Sequence, residues 1–322
     1  MLLFLFFNIF INITKIVNNF AKYNLKNITQ ILDMAYNHKV IYDLKDEIYD
    51  ENDYGKYHLS VELDDNFIRY VIFDLKKYKY IFFREYELAK QEEKITEELS
   101  LIFSSDNVIQ LPYYSKSFLI NSNGNVIIPN SLFDFEQREK IFNLNELFNP
   151  EKEVIINESV KNIDSTLLYR MNKGLHNLVN ESLGSSLIFL NNYNVLINSF
   201  ITKYRNDFDE YKLCVNFRKS NIDVFLFKGQ DLNIANCFQY NSANDILYYI
   251  NYIIEIFKLK QSKFSLIIVG ELHKNSSIYD KLKIYVKDIS FIKRNESFNY
   301  SYIFDEFPEN LHYSLLNSYQ CV

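Results

Sequence analysis

The chain has 322 residues, 48% apolar and 24% charged, with 6 glycines and 4 prolines, which suits about two globular domains and excludes a fibrous or low-complexity protein. With 35 basic against 41 acidic residues the net charge is −6, which argues against a nucleic-acid binder. Three cysteines exclude a disulfide scaffold and point to a reducing compartment.

Residues 1–13 read MLLFLFFNIFINI, an apolar run too short to span a membrane. No positive charge precedes it and no small-residue cleavage site follows, so it fits a signal peptide poorly. Ile13, Ile16, Val17 and Phe20 continue a weak stripe beside Lys15, Lys22 and Lys26, as a helix lying on an anionic membrane would. The plainer reading sets the start of the protein at Met34 and leaves residues 1–33 as an extension outside the fold.

Residues 57–63 (YHLSVEL) and 67–73 (FIRYVIF) alternate with period two around the polar turn Asp64-Asp65-Asn66, a hairpin signal. A third strand is expected over 80–88, then a helix over 89–103 with Leu99, Ile102 and Phe103 on its buried face. Sliding the chain by 154 positions repeats this pattern. Tyr57, Leu59 and Val61 meet Tyr211, Leu213 and Val215, Ile68 and Phe73 meet Ile222 and Phe227, and the helix stripe meets Ile253, Ile256 and Phe257. A duplicated βββα unit accounts for this match through three strands and a helix.

Each unit then alternates onward. Ser242 and Asp245 are placed to cap a helix carrying Ile246, Ile250 and Ile253. FSLIIV (264–269) reads as a strand covered on both faces, followed by a helix over 276–286 and an apolar run over 288–293. In the first unit, 166–171 and 185–190 read as buried strands, 172–183 and 192–204 as helices, and 116–128 as a strand pair turning at Asn123-Gly124. The fold class is therefore α/β, with duplicated βββαβα, ribonuclease H-like halves over 41–205 and 206–322. Leu311, Leu315 and Leu316 give the segment from Pro308 to Tyr319 a helical spacing that suits docking onto its own domain.

Two such units in tandem resemble the actin-like ATPase fold. IPNSLFD (128–134), FNLN (142–145), ANDILYYINYIIEIFKL (243–259), IIVGEL (267–272) and PENLHYSLLNSYQC (308–321) resemble an uncharacterised bacterial family of unknown function assigned that fold. The family has no established activity, so the resemblance transfers no catalytic residue. Active members of the wider fold use Asp-Gly-type turns to approach phosphates and hydrated Mg²⁺, and a glycine pair to admit the adenosine. Here the first turn carries Asp64 and Asp65 without glycine, and the second carries Arg218 and Lys219 with neither glycine nor acid. Gly270 matches the adenosine position, but Glu271 stands in place of the second glycine.

These six residues are the cleft candidates, and the expectation is a degenerate nucleotide site with no catalytic residue, cofactor or metal. The chain then reads as a cytoplasmic, non-catalytic scaffold for a protein partner. The competing readings are a divergent ATPase or small-molecule kinase using ATP and Mg²⁺ in the cleft, and the same scaffold tethered to a membrane by residues 1–33. His38, His58, His176, His273 and His312 are scattered without metal-ligand spacing, and Cys214, Cys237 and Cys321 form no Cys-x-x-Cys pair.

Overall fold

Strands rich in Phe, Tyr, Ile and Val pair early in the chain and again after residue 210, so the architecture is built around two sheets. The computed structural model describes residues 39–64, 66–88, 95–184, 186–208 and 210–322. The larger sheet contains β1 (Val40–Lys45), β2 (Tyr57–Asp64), β3 (Phe67–Asp74), β4 (Lys79–Glu87) and β5 (Ser115–Ile120). A small antiparallel sheet is formed by β6 (Asn125–Pro129), β7 (Glu153–Val160) and β8 (Ser165–Asn172), before β9 (Ile188–Asn191) rejoins the larger one. The second main sheet holds β10 (Tyr211–Phe217), β11 (Asn221–Lys228), β12 (Asp231–Gln239), β13 (Phe264–Gly270) and β14 (Ile289–Phe291).

The two main sheets share one strand order. The larger runs β4-β3-β2-β5-β9, with β1 outside β4, and the second runs β12-β11-β10-β13-β14. In both, two antiparallel pairings lead to parallel pairings of the first strand with the fourth, β2 with β5 and β10 with β13. The duplication expected from the 154-residue repeat is therefore present as topology. The helices fall where periodicity placed them, at Ile95–Ser105, Lys173–Leu183, Asn192–Tyr204, Ala243–Ile256 and Ser277–Tyr285. Residues 89–94 of the first expected helix lie outside the described residues, as does the whole of the 1–33 extension. Ser242 and Asp245 form the capping box, each side chain accepting the other's backbone N–H.

One expectation is corrected. Residues 116–128 are not a hairpin, because β5 pairs in parallel with β2 while β6 leaves to pair with β8. Asn123-Gly124 is the crossing between sheets, and Glu146 fills the space that a Cβ on Gly124 would need, with Oε2 2.9 Å away. The 166–171 strand likewise lies in the small antiparallel sheet as part of β8.

The segment after β14 returns to the larger sheet. There β15 (Asn299–Tyr300) pairs with the start of β4, and two 3₁₀ turns follow at Tyr302–Glu306 and Leu315–Cys321. Phe298, Ile303, Phe304, Leu315 and Leu316 bury against Val71, Phe73, Tyr80 and Phe83 of β3 and β4. The C-terminal segment thus docks onto its own fold, in 3₁₀ turns where helical spacing was read. Among the described residues no helix is long and apolar enough to cross a membrane.

Where the tail meets β2, His58 is fully buried, with Ser115 Oγ 2.7 Å from Nδ1 and the Ser60 and Ser117 hydroxyls 3.0 Å from Nε2. Ser318 of the tail donates to Ser60 Oγ at 2.9 Å. Burial pulls the His58 pKa down to about 3, so the native imidazole is neutral. The unfolded chain takes up a proton near pH 6.5 that the native state refuses, so stability falls as pH drops from 6.5 toward 3. Unfolding free energies from urea titrations between pH 6.5 and 4.5 are expected to fall more steeply in the parent than in His58→Gln, by about 1 kcal/mol per pH unit. Parallel profiles would show that His58 stays protonatable in the fold.

Candidate functional site

The β2–β3 hairpin sets Glu62 opposite Arg69, and β4 sets Glu85 on the other side of Arg69. Three charges therefore form a row across three apolar strands, all nearly buried. The Arg69 guanidinium makes this tolerable. It donates to Glu85, to Asp64 at 3.2 Å and to Glu62 at 3.4 Å, and it faces Glu271 at 3.7 Å. Burial opposes the Arg69 charge, yet Asp64, Glu62 and Glu85 outweigh it and hold the proton more tightly than usual. Burial pushes the Glu62 carboxyl up to about 7, against the pull of Arg69.

The second hairpin carries a different solution at the same repeat positions, since a shift of 154 takes Glu62 to Asn216 and Arg69 to Asp223. Asp223 is fully buried and accepts from Asn216 and Asn192, each at 3.0 Å. Arg218, at the hairpin tip, grips the same carboxylate with Nε and Nη2, both at 3.2 Å, and donates to Asn123 Oδ1 at 2.8 Å. Lys219 is exposed, its ammonium 5.8 Å from the Phe67 ring. Asp65 lies outside the described residues.

Gly270 ends β13 at φ +80°, and a Cβ there would stand 2.3 Å from the Phe217 carbonyl oxygen. Its missing side chain is what lets the β13 end lie against β10, where the Glu271 N–H donates to Phe217 O at 2.8 Å. Asn310 closes the other side, its carbonyl accepting from Gly270 N–H at 2.9 Å and its amide donating to Gly270 O at 2.7 Å. The next residues, Leu311–Ser314, cover the junction. His312 sits there at φ +55° between the rings of Phe83 and Phe307, kept neutral by burial and by the nearby charges of Arg69 and Arg294.

Asp64, Arg218, Gly270 and Glu271 therefore meet around one cavity, together with Glu62, Arg69, Asn216 and the tail. Its volume is about 30 Å³, which holds about one or two water molecules. Sequence reasoning missed Glu62, Arg69, Glu85 and Asp223, although each is a charge inside an otherwise apolar strand and therefore needs a partner. On the far side of the Gly270 turn a wider pocket of about 610 Å³ is lined by His273, Lys274, Tyr279, Phe291 and Lys293. Among the described residues no group of His, Cys, Asp and Glu could hold a metal ion. Burial pushes the Cys214, Cys237 and Cys321 thiols up, the last two to about 12, so all three stay protonated.

The description "Protein of unknown function (DUF3822)" matches residues 46–289, more than half of the chain. The chain belongs to this family. No curated protein matches it. A solved protein of Bacteroides thetaiotaomicron, described as having an actin-like ATPase fold and unknown function, is 22% identical with a TM-score of 0.71. That match covers 76% of this chain and 94% of the other. The PilM–PilN type IV pilus biogenesis complex contains a chain 9% identical with a TM-score of 0.57, covering 82% of this chain and 98% of that one. The fold of this DUF3822 member is the actin-like ATPase fold, with both halves of the duplication present.

Proposed function

We propose that this DUF3822 chain is a non-catalytic scaffold on the actin-like fold, working in the cytoplasm by binding another protein. The observation that carries this reading is the 30 Å³ cavity between the hairpin tips, too small for a nucleotide, with its cations already engaged by the chain's own carboxylates. A phosphate entering there would have to displace Asp223 from Arg218 and meet the carboxylates around Arg69. The matched chain of the PilM–PilN type IV pilus biogenesis complex shares this fold and was solved in a complex, which supports a protein partner here.

The competing reading, a divergent ATPase or small-molecule kinase, draws on the pocket beyond Gly270. There Lys274 and Lys293 supply positive charge, and Tyr279 and Phe291 supply ring faces. Thermal unfolding of the full chain with millimolar ATP or ADP, with and without Mg²⁺, separates the two. The scaffold reading expects no shift. A ligand at a hundredfold its Kd would add about 2.7 kcal/mol, on the order of 5–10 °C, and a Mg²⁺-dependent shift of that size would overturn it.

A further inference from the structure

Beside the small sheet lies a groove of about 670 Å³, and the way its walls are built differs from side to side. Every residue from Gln230 to Ala235 lines it, as a strand edge does, whereas β6 contributes only the alternate residues Asn125, Ile127 and Pro129, as a sheet face does. The edge belongs to β12, the last strand of the second sheet on that side. Tyr240 N–H donates to Ser220 O at 3.0 Å, which sets the phase of the β11–β12 ladder. Ile234, Asn236 and Phe238 then turn their main-chain groups toward β11, and Ala235, Cys237 and Gln239 turn theirs away from it, Ala235 into the groove and the other two beyond its end. Asn233 is the extra residue of a bulge. The Cys237 N–H is taken by Asn236 Oδ1 at 2.9 Å.

Natural edge strands are commonly guarded by lysine, proline or inward charge. From Leu232 to Tyr240 this one carries no charge and no proline.

The geometry points to β12 as a docking edge for an extended peptide segment of a partner protein, added as a further strand in this groove. The proposal rests on the scaffold reading and names its surface. A second copy's sheet does not fit, because the β6 face walls the groove, while a single strand has room at a volume typical of ligand sites. Ile127, Pro129 and Ile163 would take its apolar side chains at alternate positions. Asp231 is the only charge among the described residues of the lining, so the segment lacks acidic residues and carries Lys or Arg at the end beside it.

The test is selection of a phage-displayed pool of nine-residue linear peptides on the full chain. Recovered peptides should alternate apolar with polar residues and lack Asp and Glu. Ala235→Pro removes an outward N–H and leaves the β11 ladder intact, so it should melt with the parent and bind these peptides about tenfold more weakly, the effect of one lost hydrogen bond of about 1.4 kcal/mol. Ile127→Glu, on the opposite wall, should weaken them too, and it carries the test if the proline variant unfolds. No enrichment, or peptides that bind the parent and both variants equally, would overturn the proposal. Neither outcome touches the scaffold reading, which the nucleotide shift decides.

Discussion

Arg69→Ala is expected to destabilise the fold by about 3–5 kcal/mol at pH 7, the usual cost of removing one partner from a buried ion pair. The substitution leaves Glu62, Asp64 and Glu85 buried together, with Glu271 at the rim of the same cluster. Even beside the cation, burial pushes Glu62 up to about 7, so the native state already holds its proton more tightly than the unfolded chain. An acid whose native pKa is raised contributes stability that is present below its unfolded value near 4.3 and lost as pH rises through the native value. Without Arg69 that loss deepens, so the deficit of the variant should be largest at pH 7 and smaller at pH 5. Urea unfolding of parent and variant at the two pH values reads this directly. A deficit under about 1 kcal/mol, or one independent of pH, would mean that the carboxylates are better solvated than their burial implies.

The second large effect is expected at Gly270. Gly270→Ala forces an L side chain into φ +80° and drives a Cβ against the Phe217 carbonyl oxygen. Positive-φ strain costs about 1–3 kcal/mol and overpacking about as much again, so a loss of roughly 2–6 kcal/mol is expected. The nearest contact is with a backbone carbonyl, which cannot swing away as the neighbouring Asn216 side chain could. Gly55→Ala is the matched control, because nothing lies within 4 Å of the added atom. Equal unfolding midpoints for the two variants would show that the β10–β13 junction relaxes at little cost.

Much of the fold was legible because apolar strands and helices repeat in step. The 154-residue shift carries the first residue of β2 onto that of β10, and the first of β3 onto that of β11. The small sheet was not legible, because Asn-Gly between two apolar runs carries the same local signal whether the runs pair with each other or part. Four of the cleft candidates meet around one cavity, but the residues that fill it were overlooked. Yet pairing Asp64 with Phe67 across the turn already places Glu62 opposite Arg69. Gly270 shows a limit of another kind. A glycine at the end of a strand reads the same whether the space beside it receives a ligand or a neighbouring carbonyl, and here it receives the carbonyl of Phe217.

The return of the tail to β3 and β4 bears on how the chain is made. Val71, Phe73, Tyr80 and Phe83 leave the ribosome well before the residues that cover them, from Phe298 to Leu316. The entire second sheet is synthesised in between, so until then the larger sheet keeps one apolar face open. Any message cut short before the codon for Phe298 yields a product with that face still bare. Such a product exposes the kind of contiguous apolar surface that chaperones and proteases recognise.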